Sequence, residues 1–141
     1  MNYNRLIEQL KLHEGVRDRP YKDSVGKLTI GVGRNLTDKG LKPKEIEYLL
    51  MNDIMDCIDD LNKYLPWWRQ LNEVRQRVLM DMCFNLGIGG LLGFKNTLAF
   101  IQSGDYEQAS QNMLSSKWAS QVGQRARRLS EMMRTGQDYE E

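Results

Sequence analysis

Apolar positions recur at helical spacing along most of the chain, interrupted near the N-terminus by one short stretch of alternation. Leu6, Ile7 and Leu10 share a helix face behind Asn2 or Asn4, either of which can cap it, and Gly15 suits the position just past its end. Glu14 therefore falls in the last turn. From Tyr21 the period changes: Tyr21-Lys22-Asp23 and Lys27 to Gly33 read as two short strands around a Ser24-Val25-Gly26 turn. Side chains alternate along a strand, so Leu28, Ile30 and Val32 point one way and Lys27, Thr29 and Gly31 the other.

Helical spacing then returns. Pro43 is placed to begin a long helix with a stripe of Ile46, Leu50, Ile54, Ile58, Leu61 and Leu65, stopped by Pro66 and roughly 35 Å long at 1.5 Å per residue. Asn72 can cap a helix carrying Val74, Val78, Leu79, Met82, Cys83 and Leu86 and ending at Gly87. Further helices are predicted over 97–102, 105–114 and 124–134, with Asp105 and Gln108 spaced as in a capping box. Nothing repeats at a fixed period, and nothing is low-complexity apart from the short polar tail QDYEE. The pattern implies an α+β chain, mainly helical, whose small antiparallel sheet is confined to one lobe.

A length of 141 residues fits one domain, or two small lobes sharing a core. The predicted division is a β-containing lobe over about 13–42, a connecting helix over about 43–65, and a helical lobe over about 66–141 joined by the N-terminal helix. Composition then narrows the partners. Twenty basic and nineteen acidic residues leave a net charge of +1, so no global cationic field holds the chain to nucleic acid or membrane. The N-terminus lacks the apolar core and cleavage site of a secretory signal, and no run approaches a membrane span, so a soluble cytosolic chain is expected. Cys57 and Cys83 form no CxxC and have no companion histidines; buried free thiols are expected, without a metal site.

The candidate chemistry lies in HEGVRDRPYKDSVGKLTIGVGRNLT, residues 13–37. Glu14 faces the negative end of a helix dipole, which disfavours a carboxylate, and a general acid must be a neutral carboxylic acid. Asp23 beside Lys22 has surroundings that favour its charged form. Two carboxyls pushed apart in this way suit glycosidic cleavage. Thr29, on the face opposite Leu28 and Ile30, can aim its hydroxyl between them and position a water, while Gly31 and Gly33 let a bulky polymer approach the backbone. Each residue alone also has an ordinary meaning: solvated surface for Glu14, a turn residue for Asp23, a strand former for Thr29.

The spacing Glu14, eight residues, Asp23, five residues, Thr29 resembles the catalytic signature of the phage-type lysozymes. CFNLGIGGLLGFKNTL and SSKWASQVGQRARRLSEMMRTG resemble that family's helical lobe, with FNLG, GF, NT, W, RA, R and RTG in matching order. The resemblance covers nearly the whole chain. It implies a two-lobed lysozyme-like fold and an endolysin, a muramidase that hydrolyses the β-1,4 bond between N-acetylmuramic acid and N-acetylglucosamine in peptidoglycan. Glu14 would be the general acid, with Asp23 and Thr29 binding or activating the attacking water, usually with inversion. Family positions that contact the sugar strand map onto Asn35, Phe84, Thr97 and Asn112, and Asn85 and Arg125 are further cleft candidates. No cofactor or metal is needed. The protein would act as a monomer that accumulates in the host cytoplasm and reaches the periplasm and wall once a holin opens the inner membrane.

Two departures stand out. The segment between Thr37 and Pro43 is shorter than in the family pattern, which trims the sheet lobe. Arg34 replaces a histidine after the glycine pair, so a local ion pair there need not be retained.

Other features have simpler meanings. His13 lacks a second histidine or a Ser or Cys partner, and GVGR lacks the third glycine and βαβ setting of a dinucleotide site. Arg125, Arg128 and Arg134 follow helical spacing and read first as a solvated face; Arg125 is a candidate for holding anionic peptide or lactyl groups. Trp67, Trp68 and Trp118 read as core rather than sugar platforms. A lytic transglycosylase and a helical nucleic-acid-binding module are the rivals, disfavoured by the Asp23–Thr29 pair and the near-neutral charge respectively.

Overall fold

The computed structural model describes residues 1–139; the end of the predicted polar tail lies outside them. The elements run α1 (Tyr3–Glu14), β1 (Arg17–Lys22), β2 (Leu28–Gly31), β3 (Arg34–Asn35), α2 (Leu36–Lys39), α3 (Pro43–Tyr64), a 3-10 turn (Pro66–Gln70), α4 (Glu73–Leu92), α5 (Lys95–Ser103), α6 (Tyr106–Leu114), α7 (Lys117–Val122) and α8 (Gln124–Thr135). This is the α+β, mainly helical architecture expected. Among the described residues no single helix is long and apolar enough to cross a membrane.

The chain divides into two compact units, Met1–Leu49 and Leu50 onward. The first contains α1, which the sequence pattern had grouped with the helical lobe, together with the sheet, α2 and the start of α3. The sheet is antiparallel in the order β1-β2-β3. β1 reaches back to Arg17, further than its alternation suggests, and its register shifts between Arg17 and Tyr21. Pro20 lies in that interval and has no N–H to donate to a ladder. α2 and β3 were not expected. The four-residue α2 is held by its surroundings: Asn35 caps it by accepting from the Asp38 amide at 2.9 Å, and the Thr37 hydroxyl accepts from the Leu28 amide of β2 at 2.8 Å.

The second unit carries the apolar core. Leu61, Leu79, Met82, Leu91, Ile101, Met113 and Met133 are fully enclosed, each contributing about 1.5–3 kcal/mol relative to exposure. The α3 stripe is buried only toward its end, where Leu61 and Leu65 join this core while Ile46 and Leu50 stay exposed. Asn72 caps α4 as expected, accepting from the Arg75 amide at 2.9 Å, and Asp105 caps α6 through the Gln108 amide at 3.2 Å. α4 does break at Gly87, whose φ of 73° and ψ of 163° leave the helical region, but helical structure resumes through Leu92. α7 was missed; Ser116 caps it, its hydroxyl accepting from the Ala119 amide at 3.1 Å.

The tryptophans behave as core. Trp68 and Trp118 are buried, their indole N–H groups donating to Asn62 and Asn85 at 2.8 Å, and Trp118 meets Phe94 edge to face at 5.9 Å. Cys57 and Cys83 are free and buried. Burial raises both thiols, Cys83 to about 12, which leaves them protonated and unsuited to nucleophilic work.

Candidate active site

Glu14 ends α1 because Gly15 adopts a φ of 77°, and the Gly15 amide closes the helix on the Lys11 carbonyl at 2.9 Å. The exposed Glu14 side chain lies against the turn between β2 and β3. Its carboxyl is so close to Gly33 that a Cβ built there would stand 2.2 Å from Oε2 and 2.9 Å from Cδ. Gly33, with φ of 66°, belongs to that turn rather than to the strand predicted from alternation. Its missing side chain makes room for the Glu14 carboxyl as well as for the backbone bend.

Thr29 occupies the centre of β2, opposite Tyr21 on β1 and Asn35 on β3. It is the one fully buried residue of the first unit, 4% exposed. The threonine face of the strand is thus the covered one, whereas Leu28 and Val32 on the other are exposed. The Thr29 hydroxyl donates to the Lys27 carbonyl at 2.9 Å, which leaves its oxygen free to accept from a water.

Asp23 continues the same face into the hairpin loop, where its amide donates to the Lys27 carbonyl at 2.9 Å. The Asp23 carboxylate accepts from the Val25 amide at 3.0 Å and the Lys27 amide at 2.8 Å, both at Oδ1. The loop fixes the carboxylate without using Oδ2. Within the first unit the carboxyl of Glu14 lies over the β2–β3 turn, and Asp23 and Thr29 fall on one face of the sheet.

The other sequence candidates are dispersed. Asn35 has both ends of its amide engaged with Asp38, at 2.9 Å through Oδ1 and 3.0 Å through Nδ2, as the cap of α2. It lines a surface cavity of about 700 Å³ with Ile30, Gly33, Arg34, Leu41 and Glu45. In the second unit, Phe84, 45% exposed, and Arg125 line a larger cavity of about 760 Å³. Arg125 is ion-paired with Asp81 at 2.7 Å, so its charge is already balanced. Asn85 accepts from Trp118, Thr97 is buried in α5, and Asn112 is half-buried on α6. Of the other arginines on α8, Arg134 pairs with Glu131 and Arg128 lies over the Tyr139 ring at 5.3 Å.

Sequence spacing did not reveal the partner of Arg34. An ion pair is present here: Arg34 Nη1 donates to Glu45 Oε1 at 2.8 Å and to the Gly40 carbonyl at 3.2 Å. Glu45 Oε1 also accepts from the Lys42 amide at 2.8 Å, the return half of a capping box at the start of α3. The signal available was the Glu two residues after Pro43. Its bond to Arg34, then the Lys42 amide, hold the Glu45 carboxyl down at about 2, against an ordinary value of 4.5. A depressed carboxyl contributes stability that is full above the unfolded value and lost as pH falls through the folded one. Stability measured by urea unfolding is expected to fall between about pH 4.5 and 2, and Glu45→Gln to flatten that fall. Asp138, held low by Arg77, titrates in the same acid region, so the difference between wild type and Glu45→Gln is the quantity to measure.

The Phage lysozyme family model matches residues 11–134. The chain is 29% identical to the pre-baseplate central spike protein Gp5 of Enterobacteria phage T4, over 93% of this chain but only 28% of that protein. It is 25% identical to probable T4-type lysozyme 1 of Dictyostelium discoideum, over 92% of this chain and 93% of that one, and 24% identical to probable T4-type lysozyme 2 of the same organism, over 93% and 94%. Matched by the family model over most of its length, the chain belongs to the phage lysozyme family and is a glycoside hydrolase.

Proposed function

We propose that the chain hydrolyses the β-1,4 bond between N-acetylmuramic acid and N-acetylglucosamine in peptidoglycan, as an endolysin that lyses the host cell. The observation that carries this reading is the Glu14 carboxyl seated over Gly33 in the same small unit whose covered sheet face bears Asp23 and Thr29. Glu14, open to solvent at a helix end, protonates the oxygen of the leaving sugar. Asp23, fixed through Oδ1, keeps Oδ2 for the attacking water, and the Thr29 oxygen accepts that water's second hydrogen. A proton donor, a base and a water suffice, so no cofactor enters the cycle. Attack from the face opposite the leaving group gives inversion.

Glycan contacts come next in the proposal. Asn35 and the cavity beside it in the first unit, and Phe84, Asn85, Thr97, Asn112 and Arg125 in the second, are the candidate sugar-strand residues. Because Arg125 is paired with Asp81, it would meet anionic peptide or lactyl groups only by sharing that carboxylate. The enzyme acts as a monomer, accumulating in the host cytoplasm and meeting peptidoglycan after a holin opens the inner membrane.

Digestion of purified peptidoglycan in ¹⁸O-water tests the reaction. Hydrolysis leaves reducing N-acetylmuramic ends that carry one labelled oxygen. Unlabelled anhydro ends, lighter by a water, would instead assign the chain to the transglycosylases and remove the role given to Asp23 and Thr29.

A further inference from the structure

The turn that supports Glu14 has little to hold it in place. Gly31 and Gly33 both have positive φ, at 69° and 66°, and Val32 between them is exposed, so no packed side chain fixes the loop. β3, which follows, is only two residues long. Beyond the short ladder that pairs Ile30 with Arg34, the side-chain tie is made by the residue next to Gly33. Arg34 sends its half-buried guanidinium to Glu45 on the first turn of α3 and to the Gly40 carbonyl, and Glu45 is itself bound to the Lys42 amide.

We propose that Arg34 and Glu45 are positioning residues for Glu14, their ion pair anchoring the Gly33 turn to α3 so that the carboxyl resting on it stays in register with the glycosidic oxygen. The chain of contacts is continuous within the first unit: Glu14 carboxyl on Gly33, Gly33 bonded to Arg34, Arg34 on Glu45, Glu45 on the start of a 22-residue helix. A half-exposed ion pair contributes little to stability by itself. Here its effect falls on geometry. A proton donor displaced by about 1 Å loses up to ~10²-fold in rate, because proton transfer needs the donor within hydrogen-bond reach.

This inference rests on Glu14 being the general acid, and the experiment separates the two. Steady-state kinetics on soluble glycan strands would compare wild type, Arg34→Met, Arg34→Lys, Glu45→Ala, Glu14→Gln and the double variant Glu14→Gln/Arg34→Met, with urea melts of each. Arg34→Met and Glu45→Ala are expected to lower kcat about tenfold with KM within about twofold, the pattern of an interaction felt in the transition state. Arg34→Lys, which keeps a charged donor, recovers most of the rate. The double variant is no slower than Glu14→Gln, since Arg34 acts through the carboxyl that is already gone.

A wild-type kcat in both Arg34→Met and Glu45→Ala, a rise in KM alone, or a double variant slower than Glu14→Gln by the full Arg34 factor would overturn the tether. If Arg34→Met does not fold, Glu45→Ala decides, since it removes the oxygen that accepts from Arg34 and otherwise costs only the capping bond from Lys42. A full-rate Glu14→Gln would remove the general-acid assignment and the tether together. An inactive Glu14→Gln beside full-rate Arg34 and Glu45 variants removes only the tether.

Discussion

Glu14→Gln is expected to clear outer-membrane-stripped Gram-negative cells at least about a hundredfold more slowly than wild type while melting at the same urea concentration, since a general acid typically supplies 10²–10⁴-fold. Gln keeps the volume and polarity of the side chain and lacks the proton that the leaving sugar needs. Glu14 is exposed and takes part in no ion pair among the described residues, so its replacement costs the fold little. Equal clearing by both proteins would move the acid elsewhere in the chain. Loss of clearing together with a lower urea midpoint would leave a folding defect as the simpler cause.

Gly33→Ala is expected to approach the same loss by a different route. At φ of 66° an alanine costs about 1–2 kcal/mol of backbone energy, and its Cβ would lie 2.2 Å from Glu14 Oε2. The carboxyl is the free end of an exposed side chain and can swing away, so the clash itself costs little stability. It cannot swing away and still occupy the same place. Displacement by more than an ångström is expected to reduce kcat by roughly 10–10²-fold. Gly104→Ala serves as the control, because it has a φ of 84° with nothing within 4 Å of the added atom. Similar urea midpoints for the two variants, with activity lost only in Gly33→Ala, would show that contact with Glu14 and not backbone strain is responsible. Similar activities would show that the carboxyl has other productive positions.

Much of this architecture was legible because it is local. Asn2, Asn72 and Asp105 cap the helices they precede, each through an amide three residues on, and Pro43 begins α3 where its fixed φ and missing N–H cost nothing. The change from helical to alternating period located β2, and the unit of spacing from Glu14 to Thr29 located the candidate carboxyls and hydroxyl. Elements held by distant partners were not legible. α2 is too short to be stable alone, and β1, rich in charge and interrupted by Pro20, becomes a strand only by pairing with β2.

The sequence by itself determined the longer helices and β2, the end of α1 at Glu14 and the strand face on which Thr29 falls, because capping, proline geometry and side-chain alternation act within a few residues of chain. Only the tertiary structure decided that the threonine face is the covered one, that Gly33 makes room for the Glu14 carboxyl, and that Arg125 is matched by Asp81 forty-four residues away. It also decided that Arg34 finds Glu45 across α2. A side chain's charge and length are written in the sequence, but which of several reachable partners it meets depends on how the backbone between them closes, and that closure is set by the packing of the whole unit.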